Sequence, residues 1–165
     1  MKPIKLMLVF IVFCNSMAAA QLTNNMASSK ISNHIKLNLG KQIKLVKAYL
    51  FYDGGKRVPD SNYADLNQNV NMLIQIERGA WVEKDGKVSI GASEIITTSA
   101  GAEILNEPDL FASLTDISAE DAQYITLKAV ITSMTKKISF FLVTFTVWDK
   151  WGSTKITGSY RFKVR

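Results

Sequence analysis

Fourteen acidic side chains and three tryptophans are the residues of this chain whose types could do chemistry. Asp53, Asp60 and Asp65 fall in one connection, Glu107, Asp109 and Asp116 in another, and Asp149 in a turn. Calcium collects carboxylate and carbonyl oxygens from such loops. Asp53, Asp60 and Asp109 are therefore the candidate metal ligands, calcium is the candidate ion, and no other cofactor is indicated. No Asp-x-Asp-x-Asp-Gly spacing occurs. Asp and Asn also cap turns by hydrogen bonding to nearby backbone, which accounts for the same residues without a metal.

Trp81, Trp148 and Trp151 stand at or near strand ends beside loops, where sugar-binding sandwiches place rings; they are the candidate ligand-binding residues. Tryptophan also seals the ends of sandwich cores, since it brings a large apolar body with one donor at its tip. Phe140 and Leu142 face away from the Phe141 side, to pack under another element or to meet a partner.

Catalytic residues are not indicated. Catalysis needs a base, a nucleophile or a metal brought together, and the chain has one histidine and one cysteine. His34 lies between Asn33 and Ile35 on a polar strand face, as a surface histidine does. No Gly-x-Ser-x-Gly elbow is present. Asp53-Gly54-Gly55-Lys56 is a turn with a lysine, lacking the spacing of a phosphate-cradling loop. A pair of carboxylates would suffice for glycoside hydrolysis, yet nothing in the spacing singles out one pair.

The elements that must position these residues are strands. Ile31, Ile35, Leu37 and Leu39 alternate with polar residues; Val46, Ala48, Leu50 and Tyr52 form one face of a second segment; Val70, Met72, Ile74 and Ile76 form one face of a third. A period of two buries one face and wets the other. Asp85-Gly86, between Trp81-Val82 and Val88-Ile90, marks a tight hairpin. Regularity lapses after Ile96 and resumes at Ile125, Leu127, Ala129 and Ile131. Phe141, Val143, Phe145 and Val147 predict a central strand, with Thr144, Thr146 and Trp148 on its other face. In the last strand Ile156, Tyr160, Phe162 and Val164 point inward, opposite Thr157, Ser159, Arg161, Lys163 and Arg165. Ser118-Ala119-Glu120-Asp121 resembles a capping box able to nucleate one helical turn. Seven to eight short strands predict an all-β, antiparallel two-sheet sandwich, immunoglobulin-like or C2-like, with a closed barrel as the alternative.

The first 20 residues read as a secretory signal peptide: Lys2 and Lys5, a nine-residue apolar run from Leu6 to Cys14, then Met17-Ala18-Ala19-Ala20. Cleavage after Ala20 makes Gln21 the new N-terminus. Phe13 is too bulky for the rival reading, a lipidated Cys14. Residues 21–30 form a polar, flexible lead-in, and residues 31–165 a single β-sandwich domain. Without the leader the chain has no cysteine, which excludes disulfides and thiolate chemistry. Its formal charge falls from +6 to +4, because all acidic residues lie beyond Ala20. That balance is no nucleic-acid signature. Basic stripes at Lys36, Lys41, Lys44 and Lys47 and at Arg161, Lys163 and Arg165 guard strand edges against aggregation or meet anionic lipid or polysaccharide.

Val88-Ser-Ile-Gly-Ala-Ser-Glu94, Glu107-Pro-Asp-Leu-Phe111 and Val147-Trp-Asp-Lys-Trp-Gly152 resemble exported immunoglobulin-like or C2-like sandwich proteins of Gram-negative bacteria. The resemblance implies fold and compartment and brings no named activity. The first functional reading is a non-enzymatic binding or interaction module, periplasmic or secreted, that contacts another protein or an envelope component through loops or an edge strand. It excludes nucleic acid and any transmembrane segment after signal cleavage. The alternative is a calcium-dependent or carbohydrate-binding sandwich built on the aspartates and tryptophans named above, and the third a carboxylate-based hydrolase.

Overall fold

The computed structural model describes residues 30–134 and 138–165. The expected signal peptide with Cys14, the expected cleavage point before Gln21, and all of the expected lead-in but Lys30 lie outside the described residues. The strands are β1 (Lys36–Leu39), β2 (Leu45–Tyr52), β3 (Tyr63–Ala64), β4 (Val70–Ile76), β5 (Lys87–Val88), β6 (Ile90–Thr98), β7 (Glu103–Glu107), β8 (Ile117–Ser118), β9 (Tyr124–Ala129), β10 (Phe141–Asp149) and β11 (Lys155–Val164). Eight of them have four or more residues and three have two.

The fold is all-β and its sheets are open, which sets the closed barrel aside. The larger sheet runs β1-β11-β10-β6-β7 with antiparallel neighbours, and β3 adds in parallel to the end of β11. The smaller sheet runs β2-β4-β9, also antiparallel. β5 and β8 make a short separate pair. Their apolar faces share one core. Phe141, Val143, Phe145 and Val147 of β10 meet Ile156, Tyr160 and Phe162 of β11 and Ala92 and Ile96 of β6; the smaller sheet brings Ala48, Leu50, Met72, Ile74, Ile125 and Leu127. Gly158 lets Phe145 lie down on the sheet, since a Cβ there would collide with the Phe145 ring and with the Lys36 carbonyl.

Sequence and structure agree on the inner faces of β4, β9, β10 and β11. They agree on the hairpin too: Asp85 (φ 50°) and Gly86 (φ 75°) turn the chain between Lys84 and Lys87, whose backbones exchange two hydrogen bonds of 2.9 Å. One turn of 3-10 helix, Asp121–Gln123, follows Ser118, whose Oγ accepts from the Asp121 N–H at 2.9 Å.

Three expectations are corrected. Val46 is 38% exposed instead of sharing the inner face with Ala48, because a bulge between Leu45 and Lys47 inserts a residue and resets the alternation. The first strand does not extend from Ile31 to Leu39. Asn33 (φ 59°) and His34 (φ 53°) are left-handed and break it, leaving four residues as β1. Asn33 is buried, donating through Nδ2 to the Val58 carbonyl (2.9 Å) and Asn62 Oδ1 (3.0 Å) and accepting the Leu50 N–H on Oδ1 (2.8 Å). The span after Ile96 is more regular than its sequence pattern, because edge strand β7 pairs β6 through another irregularity. His34 itself is exposed, as expected.

Replacing Phe145 by Ala should cost about 3–5 kcal/mol in a denaturant melt, and Thr146→Ala, on the other face of the same strand, about 0.5 kcal/mol or less. The reverse order would mean that the two faces of β10 are exchanged.

Candidate functional site

β10 is paired on both sides, with β6 and β11, so its outward residues fall into cross-strand rows. One row reads Asn38, Thr157, Thr146, Ser93 across β1, β11, β10 and β6; the next reads Lys36, Ser159, Thr144, Ile95. Neighbouring strands lie about 4.8 Å apart, so the first row is a ladder of four closely spaced polar groups and the second of three, ending on Ile95. Together they floor a shallow groove of about 440 Å³ on the outer face of the larger sheet. No carboxylate lines it. Thr144 Oγ1 reaches the Ile95 carbonyl only at 3.5 Å. The side chains of Asn38, Ser93, Thr146, Thr157 and Ser159 have no hydrogen-bond partner among the described residues, which leaves their donors and acceptors to solvent or to a ligand.

Trp148 lies on this same face, two residues beyond Thr146. Its cross-strand partner is Gly91, and the indole rests on that glycine so closely that any Cβ would overlap the ring. The ring thus lies along the sheet, half-buried. Trp81 is placed otherwise than expected of a ligand-binding residue: it is 7% exposed, and its Nε1 donates to the Ala122 carbonyl at 3.1 Å. It packs the core. Trp151 is half-buried in the turn after β10, with the Lys84 ammonium 4.6 Å from its ring centre. Buried Asp149 clasps this end of the sandwich by accepting the Val82 N–H (2.7 Å) and the Trp151 N–H (2.9 Å).

The candidate metal ligands are each engaged separately. Asp53 accepts from the side chains of Asn69 and Asn71, and those two hydrogen bonds hold its carboxyl below the usual range. Asp60 accepts the Asn33 N–H at 3.1 Å. Asp109 accepts the N–H groups of Ala92 (3.2 Å) and Phe111 (2.9 Å) and pairs with Lys150 at 3.1 Å. Among the described residues no group of three or more His, Cys, Asp or Glu side chains gathers as a metal site. Contrary to the calcium expectation, the structure does not bring Asp53, Asp60 and Asp109 together. Asp109 caps its own turn through the Phe111 N–H, while Asp53 and Asp60 tie their loop to Asn69, Asn71 and Asn33.

The most perturbed acid is one that sequence patterning passed over. Glu94 occupies an inward position of β6, between Ala92 and Ile96, and is 1% exposed. Neither of its carboxyl oxygens has a hydrogen-bond partner among the described residues, nor does the Tyr160 hydroxyl in the same core. Burial pushes the Glu94 carboxyl up to about 8. Burial, and then the charge of Glu94, push the Tyr160 hydroxyl well above its ordinary value. The alternation Ile90, Ala92, Glu94, Ile96 was the signal: a carboxylate in phase with apolar residues is an inward carboxylate.

No protein-family model matches the chain. No curated protein matches it in sequence. Among solved structures it is similar to the C-terminal domain of wzt, at 15% identity over 80% of this chain and 78% of that one, with a TM-score of 0.49. It is also similar to the PmoD soluble domain from Methylocystis sp. ATCC 49242 (Rockwell), at 12% identity over 81% of this chain and 100% of that one, with a TM-score of 0.42. Both likenesses are too distant to carry either protein's properties across.

Glu94 makes stability depend on pH. Its folded value of about 8 lies above its ordinary 4.5, so the folded state holds the proton more tightly than the unfolded chain does. Burial of Glu94 therefore costs nothing extra below pH 4.5, costs more as pH rises towards 8, and reaches on the order of 5 kcal/mol above that. Melts between pH 5 and 8 should show the native protein losing stability and Glu94→Gln losing much less over the same window; parallel curves would contradict the assignment.

Proposed function

We propose that this chain is a non-enzymatic binding module that takes an uncharged oligosaccharide on the outer face of its larger sheet. One observation carries the reading: five neighbouring polar side chains, Asn38, Ser93, Thr146, Thr157 and Ser159, line an open groove without spending their hydrogen bonds on the protein. A ligand rich in hydroxyl groups both donates and accepts, and such a surface answers both. Trp148 supports the same reading, because an indole lying along the sheet beside the groove gives a sugar ring an apolar face to stack on.

A protein partner fits this face less well. Stable protein interfaces centre on a desolvated cluster of aromatic and aliphatic anchors, whereas this groove interleaves Leu37, Ile95 and Phe145 with unpaired hydroxyl and amide groups that such an interface would have to bury. Hydrolysis fits less well still. Glycoside cleavage uses two carboxyl groups facing one substrate, while the groove has none, and Glu94, raised towards neutral pH, faces the core and lines no part of the groove. A periplasmic or secreted location, which the expected signal peptide supports, is one where glycans are abundant ligands, and no helix of the described residues is long and apolar enough to cross a membrane.

A panel of immobilised neutral glycans tests the reading. Saturable binding to at least one is expected, weakened roughly 5–10-fold by Thr146→Val, which removes one hydroxyl from the groove at nearly constant shape. Trp148→Ala should weaken it further. Absence of binding to any neutral glycan, or variants that bind as the native protein does, would overturn the assignment.

A further inference from the structure

The outer side of the smaller sheet carries a second feature, independent of the groove. Beyond the bulge, β2 points Lys47, Tyr49 and Phe51 outward while Ala48 and Leu50 point in. The turn after Tyr52 returns the chain so that Arg57 pairs with Phe51 through a backbone bridge. From there its guanidinium comes down on Tyr49, with its central carbon 3.1 Å from the ring centre. Phe51 props that ring edge-on at 6.0 Å. Lys47 also approaches this ring, its ammonium 5.7 Å from the ring centre. Lys30 runs beside β2, accepting the Ala48 N–H on its carbonyl and reaching the Leu45 carbonyl with its ammonium at 3.1 Å.

These residues enclose a depression of about 190 Å³ whose walls carry three cations, Lys30, Lys47 and Arg57, and no carboxylate. The ion pairs of the described residues lie elsewhere: Lys44 with Glu77, Arg78 with Glu83, Lys150 with Asp109 and Arg165 with Asp65. Neighbouring Asp53 and Asp60 are engaged with Asn69, Asn71 and Asn33. Three like charges around one small hollow repel one another, and nothing among the described residues neutralises them. Arg57 meanwhile spends one face of its guanidinium on the ring and has no hydrogen-bond acceptor for its donors among the described residues. A guanidinium fixed in plane with its fork free is prepared for a planar pair of oxyanion oxygens.

We propose that this depression is an anion site for a doubly charged oxyanion of the phosphate class. Arg57 provides the two-pronged contact, and Lys30 and Lys47 the remaining charge. The charge count selects phosphate over a carboxylate: three cations are better balanced by two negative charges than by one. The volume selects a single group, free or at the end of a small molecule, over the broad contact that a membrane surface requires. The site also explains why Tyr49, an outward residue of a short sheet, is braced by Phe51: the ring is the platform that keeps the Arg57 fork in place.

Calorimetric titration of the purified protein with inorganic phosphate, glucose 1-phosphate and acetate at fixed ionic strength tests the site, with thermal melts to confirm that each variant folds. One phosphate per chain should bind saturably, at least tenfold more tightly than acetate, and glucose 1-phosphate shows whether a sugar-borne phosphate is accepted as well as the free ion. Arg57→Gln should weaken binding at least tenfold. Arg57→Lys should also weaken it, since the charge stays and the fork goes, whereas Arg78→Gln, remote and paired with Glu83, should not. Absence of saturable phosphate binding, equal binding of acetate, or an Arg57→Gln protein that binds as the native one does would each overturn the proposal. So would binding to phosphatidylglycerol vesicles without binding to either soluble phosphate.

Discussion

The alternation of β10 is the constraint on which the remaining structure depends. Its odd residues, Phe141 to Val147, are buried, and its even residues, Leu142 to Trp148, are all partly exposed. It is paired along almost its whole length on both sides. The phase of this one strand therefore fixes the phase of β6 and β11, and through β11 that of β1. A slip by one residue would send four large apolar side chains to solvent and two threonines into the core. The same phase that builds the core also aligns Thr144 and Thr146 with Ser93, Thr157 and Ser159, so the core and the groove are two faces of one register. Two glycines serve it on opposite sides: Gly158 admits Phe145 on the inner face, and Gly91 admits Trp148 on the outer.

Polar groups inside the sandwich divide into two kinds. Asn33 and Asn62 are fully engaged, tying the turn before β1 to β2, to the loop before β3 and to β11. Asp149 is engaged in the same way with two backbone N–H groups. Each substitutes for water in satisfying backbone that no ladder reaches, which is how irregular segments can be buried. Glu94 and the Tyr160 hydroxyl do the opposite. They sit among apolar residues without partners among the described residues, and the carboxyl resolves part of the conflict by keeping its proton near neutral pH.

Sandwich architecture was legible in the sequence because one-sided burial writes a period of two, clearest in β4, β9, β10 and β11. It failed where a local device overrode the period. The bulge at Leu45–Lys47 moved Val46 outward, and left-handed Asn33 and His34 cut the first strand short; neither leaves a mark in hydrophobicity. The candidate site was legible only in part. Thr144, Thr146 and Trp148 read as one outer face, but that Asn38, Ser93, Thr157 and Ser159 join them depends on strand order, which alternation does not encode. For the same reason the stripe of Lys36, Lys44 and Lys47 is divided between two sheets: Lys36 stands at the groove, Lys44 pairs with Glu77, and Lys47 flanks Tyr49. The partners that Asp53, Asp60 and Asp109 find, Asn69 and Asn71, Asn33, and Ala92, Phe111 and Lys150, depend on which segments the fold brings beside each loop, and alternation does not encode that.

Ligand recognition by a flat face of a sheet, with the loops serving to hold the sheet's ends, is the central claim. Amide chemical-shift mapping tests it most directly. The labelled protein would be titrated with maltotetraose, cellotetraose and chitotetraose, and with whichever neutral glycan a panel selects. Saturable shifts concentrated on β1, β11, β10 and β6, at and beside Asn38, Thr157, Thr146 and Ser93, are the result the structure predicts. Shifts confined to the loops around Asp53, Asp60 and Asp109 or to the edge strands β7 and β9, with the groove silent, would contradict it.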